Sequence, residues 1–253
     1  ATAISQFASA ILCLIHLLRT KEEYRLYISK IRFDGRVLGE IIRNGVPSGF
    51  QNSVISIANV FVQTNINAFG KMAMAGCGSY AKIEGFAFLP VTCFTMALTT
   101  FVSQNLGAKQ YDRAKKGARF GILCSVAIAE LIGFVIYVAA PTLIAAFNSD
   151  PSVVHYGVMQ ARTIALFYFL LAFSHCIAAV LRGSGHASIP MAVMLCVWCL
   201  FRVSYITVTV RLIPDIRVIF WAYPLTWSIS SVIFLYLFLK GKWVYGFEKS
   251  DRN

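Results

Sequence analysis

Charged side chains are scarce in this 253-residue sequence: they make up 13%, against roughly 25% in ordinary soluble domains. The four histidines, His16, His155, His175 and His186, are scattered, and no HExxH occurs. An integral membrane enzyme would need a nucleophile, a base or a metal cluster near an interface. None is present, so neither enzymatic activity nor a metal or cofactor is expected. There is also no GK[ST] and no GxGxxG after a strand, which removes the nucleotide-binding loops. The seven cysteines imply no disulfide framework. Cys13, Cys93, Cys124, Cys176, Cys196 and Cys199 lie in apolar runs, where cysteine behaves as a small hydrophobe, and Cys77 has no obvious partner. Cys196 and Cys199 have a CxxC spacing without other soft ligands, so packing is the expected role. The sequence lacks a start Met, a basic flank before the first apolar stretch and a small-residue cleavage site, so a signal peptide is not expected. It opens at Ala1 inside an apolar run, and the expectation is a clipped helix at the start of a fragment.

What is abundant is apolar length. Hydrophobic residues make up 58% and the mean hydropathy is +0.67, so the bilayer is the expected solvent. A spanning helix needs roughly 20 mostly apolar residues. Six stretches qualify, at 42–69, 78–103, 117–140, 153–181, 189–210 and 218–240, with 1–18 as the clipped seventh. The net charge of +12 could suggest a nucleic-acid partner, but its distribution points elsewhere. Connections on one side (19–43, 106–119, 182–188, 240–253) carry 17 Lys and Arg, and those on the other (70–82, 141–152, 211–217) carry 4. The positive-inside rule makes the richer side cytoplasmic, the C-terminus included. No basic patch with interleaved aromatics lies outside the apolar runs, so nucleic acid is not an expected partner.

Polar groups inside the spans need an explanation. Ser48, Asn52, Ser56, Asn59, Gln63 and Asn67 recur every three or four residues, which at about 100° per residue confines them to one helix face. In hydrocarbon they would lack partners, so the stripe is expected to face other helices or an aqueous cavity. Gly45, Pro47 and Gly49 suggest a bend or close packing near its inner end. Intramembrane charges are functional candidates by default. Glu130, 11 residues before Pro141, and Arg162, 10 residues after Ser152, lie at similar depth on consecutive antiparallel helices, which makes a buried pair one expectation. Glu84 and Arg202 form the alternative pair. Either acid could instead be a desolvated carboxylate exchanging protons near neutral pH, with His175 as a relay or simply hydrogen-bonded. QNLGAKQYDRAKKGAR (104–119) reads as a helix end, a Gly107 stop and a short basic surface helix.

Several segments together resemble a known family. G-V-P-S-G at 45–49, A-F-G at 68–70, K-I-E-G-F-A-F-L-P at 82–90, F-V-S-Q-N-L-G-A at 101–108, L-R-G-S-G at 181–185 and I-P-M at 189–191 with the following W-C-L-F-R-V are similar to the C-terminal half of the multidrug and toxic compound extrusion (MATE) family. The resemblance covers about residues 40–240 and most of 1–39. It implies an all-α integral membrane protein: the six-helix C-lobe (42–240) of a twelve-helix, two-lobed transporter. It also implies the last N-lobe helix (1–18), a basic cytoplasmic interlobe loop (19–41) and a cytoplasmic tail (241–253). The expected partners are the bilayer, the missing N-lobe and a cationic or amphipathic substrate, expelled across the plasma (inner) membrane in exchange for protons or sodium.

Some branches of that family carry acids in the first and fourth C-lobe helices. Here Ser56 stands about where the first would lie, and 153–181 contains no Asp or Glu. Glu84 is then the local candidate for the coupling ion or the cationic drug, with Glu130 behind it, and Asn52, Ser56, Asn59, Gln63 and Asn67 are the candidate cavity lining. A lipid-linked glycan flippase of related shape would be expected to carry a more cationic cavity than Arg162 and Arg202 supply. A non-transporting sensor or scaffold is the remaining alternative.

Overall fold

The computed structural model describes residues 2–22, 24–28, 32–240 and 243–245. They are helical almost throughout, and no strand occurs among them. The chain divides into two units, Ala1–Ile42 and Arg43–Asn253. In the first, α1 (Thr2–Arg19) has its apolar part in Ala3–Arg19, shorter than a full span. The chain then turns back on the helix end, where Arg25 Nε donates to the Leu18 carbonyl at 3.2 Å. The segment expected as a loop over 19–41 becomes helical at Gly35, where α2 (Gly35–Asn67) begins. Asp34 sets that start, its carboxylate accepting from the Arg36 and Val37 amides at 2.9 and 3.1 Å. Lys30 lies outside the described residues, as does the expected tail 241–253 apart from a 3-10 turn at Trp243–Tyr245.

In the second unit α2 continues into α3 (Lys71–Gly107), α4 (Tyr111–Ala145), α5 (Pro151–Ile164), α6 (Tyr168–Gly183), α7 (Ser188–Met194), α8 (Arg202–Leu212) and α9 (Ile216–Lys240). Among the described residues, five segments are long and apolar enough to span a membrane: α3, α4, α5 with α6, α7 with α8, and α9. The sixth expected span forms as α2 but falls below that apolarity, because its polar stripe dilutes it. Turn chemistry separates the helices. Gly70 and Gly185 take positive φ, which a glycine adopts without strain. Asp150 caps α5 by accepting from the Ser152 amide at 2.8 Å, with Pro151 in the first turn.

The connection at 104–119 differs from expectation. Gln104 and Asn105 belong to α3, the chain reverses over 108–110 with Lys109 at φ 58°, and the basic residues from Arg113 on form the first turns of α4. No separate surface helix stands between them, because the left-handed Lys109 turns the chain within three residues.

Two spans are irregular. Between α5 and α6 the helix tightens to 3-10 over Ala165–Phe167, and between α7 and α8 it widens to a π-helix over Leu195–Phe201. Neither segment contains Gly or Pro, and such interruptions of α-geometry often mark functional positions. The segment Pro151–Gly183 is the most enclosed span, with 67% of its apolar window buried against 22% for α3, so it forms the centre of the unit. Close crossing there depends on small residues: a Cβ added at Gly76 would lie 2.9 Å from the Gly157 amide nitrogen. Gly45 and Gly49, by contrast, have nothing within 4 Å of an added Cβ, so of the bend or close packing expected there, close packing does not occur within this unit.

Candidate functional site

Helix α2 presents three distinct faces. Gln51, Ala58, Val62 and Ile66 form the buried seam. Val46, Phe50, Ile57 and Val60 form an exposed apolar face. Between them runs the polar stripe. Its upper member Ser48 is half-buried, while Asn52, Ser56, Asn59, Gln63 and Asn67 are all exposed. The stripe lies one residue, or about 100°, around from the seam, so packing the seam leaves it uncovered by the rest of the unit. Its groups partly satisfy one another: Gln63 Nε2 donates to Asn67 Oδ1 at 2.9 Å, and the Ser56 hydroxyl donates to the Asn52 carbonyl at 3.0 Å.

Asn59 connects the stripe to a buried charge. Arg202, at the first position of α8, is 1% exposed. Its Nη2 donates to Thr226 Oγ1 at 3.0 Å and its Nη1 to Asn59 Oδ1 at 3.4 Å. The guanidinium lies 5.0 Å from the Trp198 ring centroid and 4.8 Å from that of Tyr223, favourable positions for cation–π attraction. The Nε atom has no acceptor. Glu84 lies within electrostatic reach of Arg202, Tyr80, Tyr168 and Tyr223. It makes no ion pair with Arg202 within 4.0 Å, so the alternative pair is a proximity of charges and not a salt bridge. Tyr80 and Tyr168, both buried, share a hydroxyl–hydroxyl hydrogen bond of 2.8 Å. Six elements thus converge: α2, α3, α6, the π-helix, α8 and α9.

The space beside Glu84 is small. It is about 10 Å³, bounded by Ala87, Phe88, Val91, Ala129, Tyr168 and Leu171, room for about one water-sized occupant. Asn52 instead borders a separate cavity of about 620 Å³ between α2, α3 and α6. His175 borders the same cavity, its ring edge-on to Phe88 and Trp198 at 5.2 and 5.3 Å, and its Nε2 has no partner.

The pairing expected of Glu130 and Arg162 does not occur. Glu130 Oε2 accepts from the Phe169 amide at 3.3 Å, while Arg162 is exposed and lies 5.8 Å over the Tyr137 ring. The cause is the 3-10 break. It frees an amide just beyond Phe167, and the acid takes up that donor instead of crossing to the arginine.

Reading the chain along its length did not single out Tyr80, Tyr168, Tyr223, Trp198 or Thr226. Two of them carried a signal: Tyr80 precedes Glu84 by four residues and Trp198 precedes Arg202 by four, the spacing that places side chains on one helix face. Tyr168, Tyr223 and Thr226 reach the site from other helices, and nothing local marks them.

Comparison with known proteins supplies the lineage. The "Probable multidrug resistance protein NorM" of Thermotoga maritima is 26% identical over 255 residues, covering 96% of this chain and 52% of its own length. The "Probable multidrug resistance protein YoeA" of Bacillus subtilis is 24% identical over 198 residues, covering 76% of this chain and 42% of its own. The chain therefore spans about half the length of the curated relatives it matches. Among solved structures, a MATE protein in complex with MaL6 superposes with a TM-score of 0.86 at 17% identity, over 97% of this chain and 56% of that one, a likeness of fold. The MatE family model matches residues 47–207, a stretch that holds the stripe from Asn52 to Asn67, Glu84 and Arg202 alike. On that match, together with five membrane-length helices, the chain belongs to the MatE family of multi-pass membrane proteins.

Proposed function

We propose that this chain forms the C-terminal part of a two-lobed secondary transporter that expels cationic or amphipathic compounds in exchange for protons or sodium. On this reading 1–18 is the last helix of the preceding lobe, 19–41 links the lobes on the cytoplasmic side, 42–240 is the second lobe, and the tail is cytoplasmic in the plasma membrane. The names of the relatives and the family support export. The 17-to-4 distribution of basic residues supports the orientation.

The observation that carries the division of labour is the contrast in space. A drug-sized ligand occupies a pocket of roughly 300–1,000 Å³, whereas the space beside Glu84 is about 10 Å³. Of the two roles open to Glu84, that volume favours the coupling ion over the drug. The exposed stripe of Asn52, Ser56, Asn59, Gln63 and Asn67 is then the wall that meets the substrate in a water-filled cavity. Asn59 links the two, since it touches Arg202 from the stripe.

The test uses the full-length transporter in reconstituted vesicles, with a fluorescent organic cation as substrate. Glu84→Gln is expected to abolish ion-gradient-driven efflux while leaving dye binding in detergent within about threefold of wild type. Unchanged gradient-driven efflux in that variant would remove Glu84 from coupling. Loss of dye binding with intact coupling would reverse the assignment.

A further inference from the structure

The cavity of about 620 Å³ between α2, α3 and α6 has a size typical of small-molecule sites, and its chemistry differs from that around Glu84. Its wall includes Gln51 and Asn52 on α2, Thr92, Thr95 and Thr99 on α3, and Arg182 at the end of α6. Arg182 is the one formal charge on that wall, and no carboxylate lines it. Among the described residues Arg182 makes no ion pair and no side-chain hydrogen bond, and the ionisable groups within its electrostatic reach are the Cys176 thiol and the His175 imidazole. Arg182 is half-buried in the last turn of α6, and its side-chain nitrogens, without a protein partner among the described residues, face the open space of the cavity.

The rest of the wall combines apolar Ile55, Phe88, Val91 and Met96 with side chains that can accept hydrogen bonds. The hydroxyl protons of Thr92, Thr95 and Thr99 go to backbone carbonyls of α3 at 2.8–3.0 Å, which leaves the hydroxyl oxygens able to accept. Gln51 is 5% exposed, and its Oε1 has no donor. An arginine fork matches carboxylate and phosphate groups, and Arg182 presents one to this cavity without a protein partner among the described residues. What it lacks is an oxyanion, and what the threonines and Gln51 lack is a donor.

We propose that this cavity binds an amphiphile bearing an oxyanion, a carboxylate or a phosphate, seated on Arg182 with the ligand's N–H or O–H groups against the threonine ladder. The site is independent of the coupling role of Glu84, and of the residues proposed above to meet the cationic substrate it shares only Asn52, at the end of the stripe. The oxyanion could belong to a membrane lipid headgroup or to a soluble compound, and the chemistry at Arg182 is the same for both.

The test uses the full-length protein in a neutral maltoside detergent, with hexyl phosphate as probe and hexylammonium as the control of opposite charge. Saturable binding of hexyl phosphate is expected, with Kd raised at least about tenfold in Arg182→Gln, as for loss of a charge-assisted hydrogen bond, and within about threefold of wild type in Arg182→Lys. A second measurement needs no variant. Phenylglyoxal modification of Arg182, mapped by peptide mass spectrometry, is expected to slow with hexyl phosphate, while that of Arg113 is unaffected. Dihexanoyl phosphatidylglycerol is run in parallel: protection at lower concentration than hexyl phosphate assigns the site to lipid headgroups, and the reverse order assigns it to soluble anions. No protection by either anion, an unchanged Kd in a folded Arg182→Gln protein, or tighter binding of hexylammonium would overturn the proposal.

Discussion

Replacing Arg202 by methionine tests whether the buried cluster works as an electrostatic unit. The substitution removes a charged hydrogen bond to Thr226 at 3.0 Å, worth about 1.5–3 kcal/mol. It also removes two ring contacts at 5.0 and 4.8 Å, each worth about 1 kcal/mol or somewhat more when desolvated. The 3.4 Å contact with Asn59 is long and adds little. Against this, a methionine of similar reach avoids the desolvation of a cation that is 1% exposed, a saving of several kcal/mol. These opposing quantities are of similar size, so the outcome turns on Glu84, which would lose the compensating positive charge. Arg202→Met alone is therefore expected to destabilise the protein by about 2 kcal/mol, less than the 3–5 kcal/mol for breaking a contacting buried pair, because the two groups do not touch. Glu84→Gln with Arg202→Met should cost less than the sum of the singles, with a coupling of about 1 kcal/mol or more. Denaturant titration in detergent micelles, followed by the fluorescence of Trp198 and Trp227, measures all four corners of the cycle. Additivity within about 0.3 kcal/mol would refute the electrostatic coupling of Glu84 and Arg202.

Three further outcomes follow from packing and exposure. Gly76→Ala should lower stability by about 1–3 kcal/mol, because its Cβ would press on the Gly157 and Val153 backbone, while Gly78→Ala, with nothing within 4 Å, should be neutral or raise it by up to about 1 kcal/mol; thermal unfolding of the two variants in one detergent compares them. Ser174 shares hydroxyl hydrogen bonds of 3.1 and 2.8 Å with Ser230 and Ser231 in the buried contact of α6 and α9, so Ser174→Val should cost about 1–3 kcal/mol by leaving a partner unsatisfied, read in the same melts. In a cysteine-free full-length background, Gln63→Cys and Asn67→Cys should react with a hydrophilic maleimide at least about tenfold faster than Ile57→Cys, since a thiol in water ionises and one facing lipid does not; equal rates would show that the stripe is not hydrated.

Much of the helical architecture was legible in the chain itself. The six apolar stretches are all helical, four of them as single α-helices and 153–181 and 189–210 as interrupted ones, and the connections at Gly107 and Gly183 end helices as their residue types imply. Boundaries shifted outward, as at Tyr111–Ala145 against the expected 117–140, because a helix can run past the apolar core into polar turns that hydropathy does not count. The stripe on α2 was legible because side chains three and four residues apart share a face in any helix. The interruptions were not: Ala-Leu-Phe at 165–167 and Leu195–Phe201 contain no residue that breaks a helix by itself.

By itself the sequence determined that the chain is helical and membrane-spanning, which helix carries a polar face, and on which side its basic residues collect. These properties follow from hydropathy, 3.6-residue periodicity and charge, all read within a few turns of chain. Only the tertiary structure decided which charges meet. Depth alone allowed either Glu130 with Arg162 or Glu84 with Arg202, because distance along a helix fixes height in the membrane but not rotation about the axis. Packing set that rotation: it turned Glu130 toward the amide of Phe169, left Arg162 over Tyr137, and enclosed Arg202 among Trp198, Tyr223 and Thr226 within electrostatic reach of Glu84.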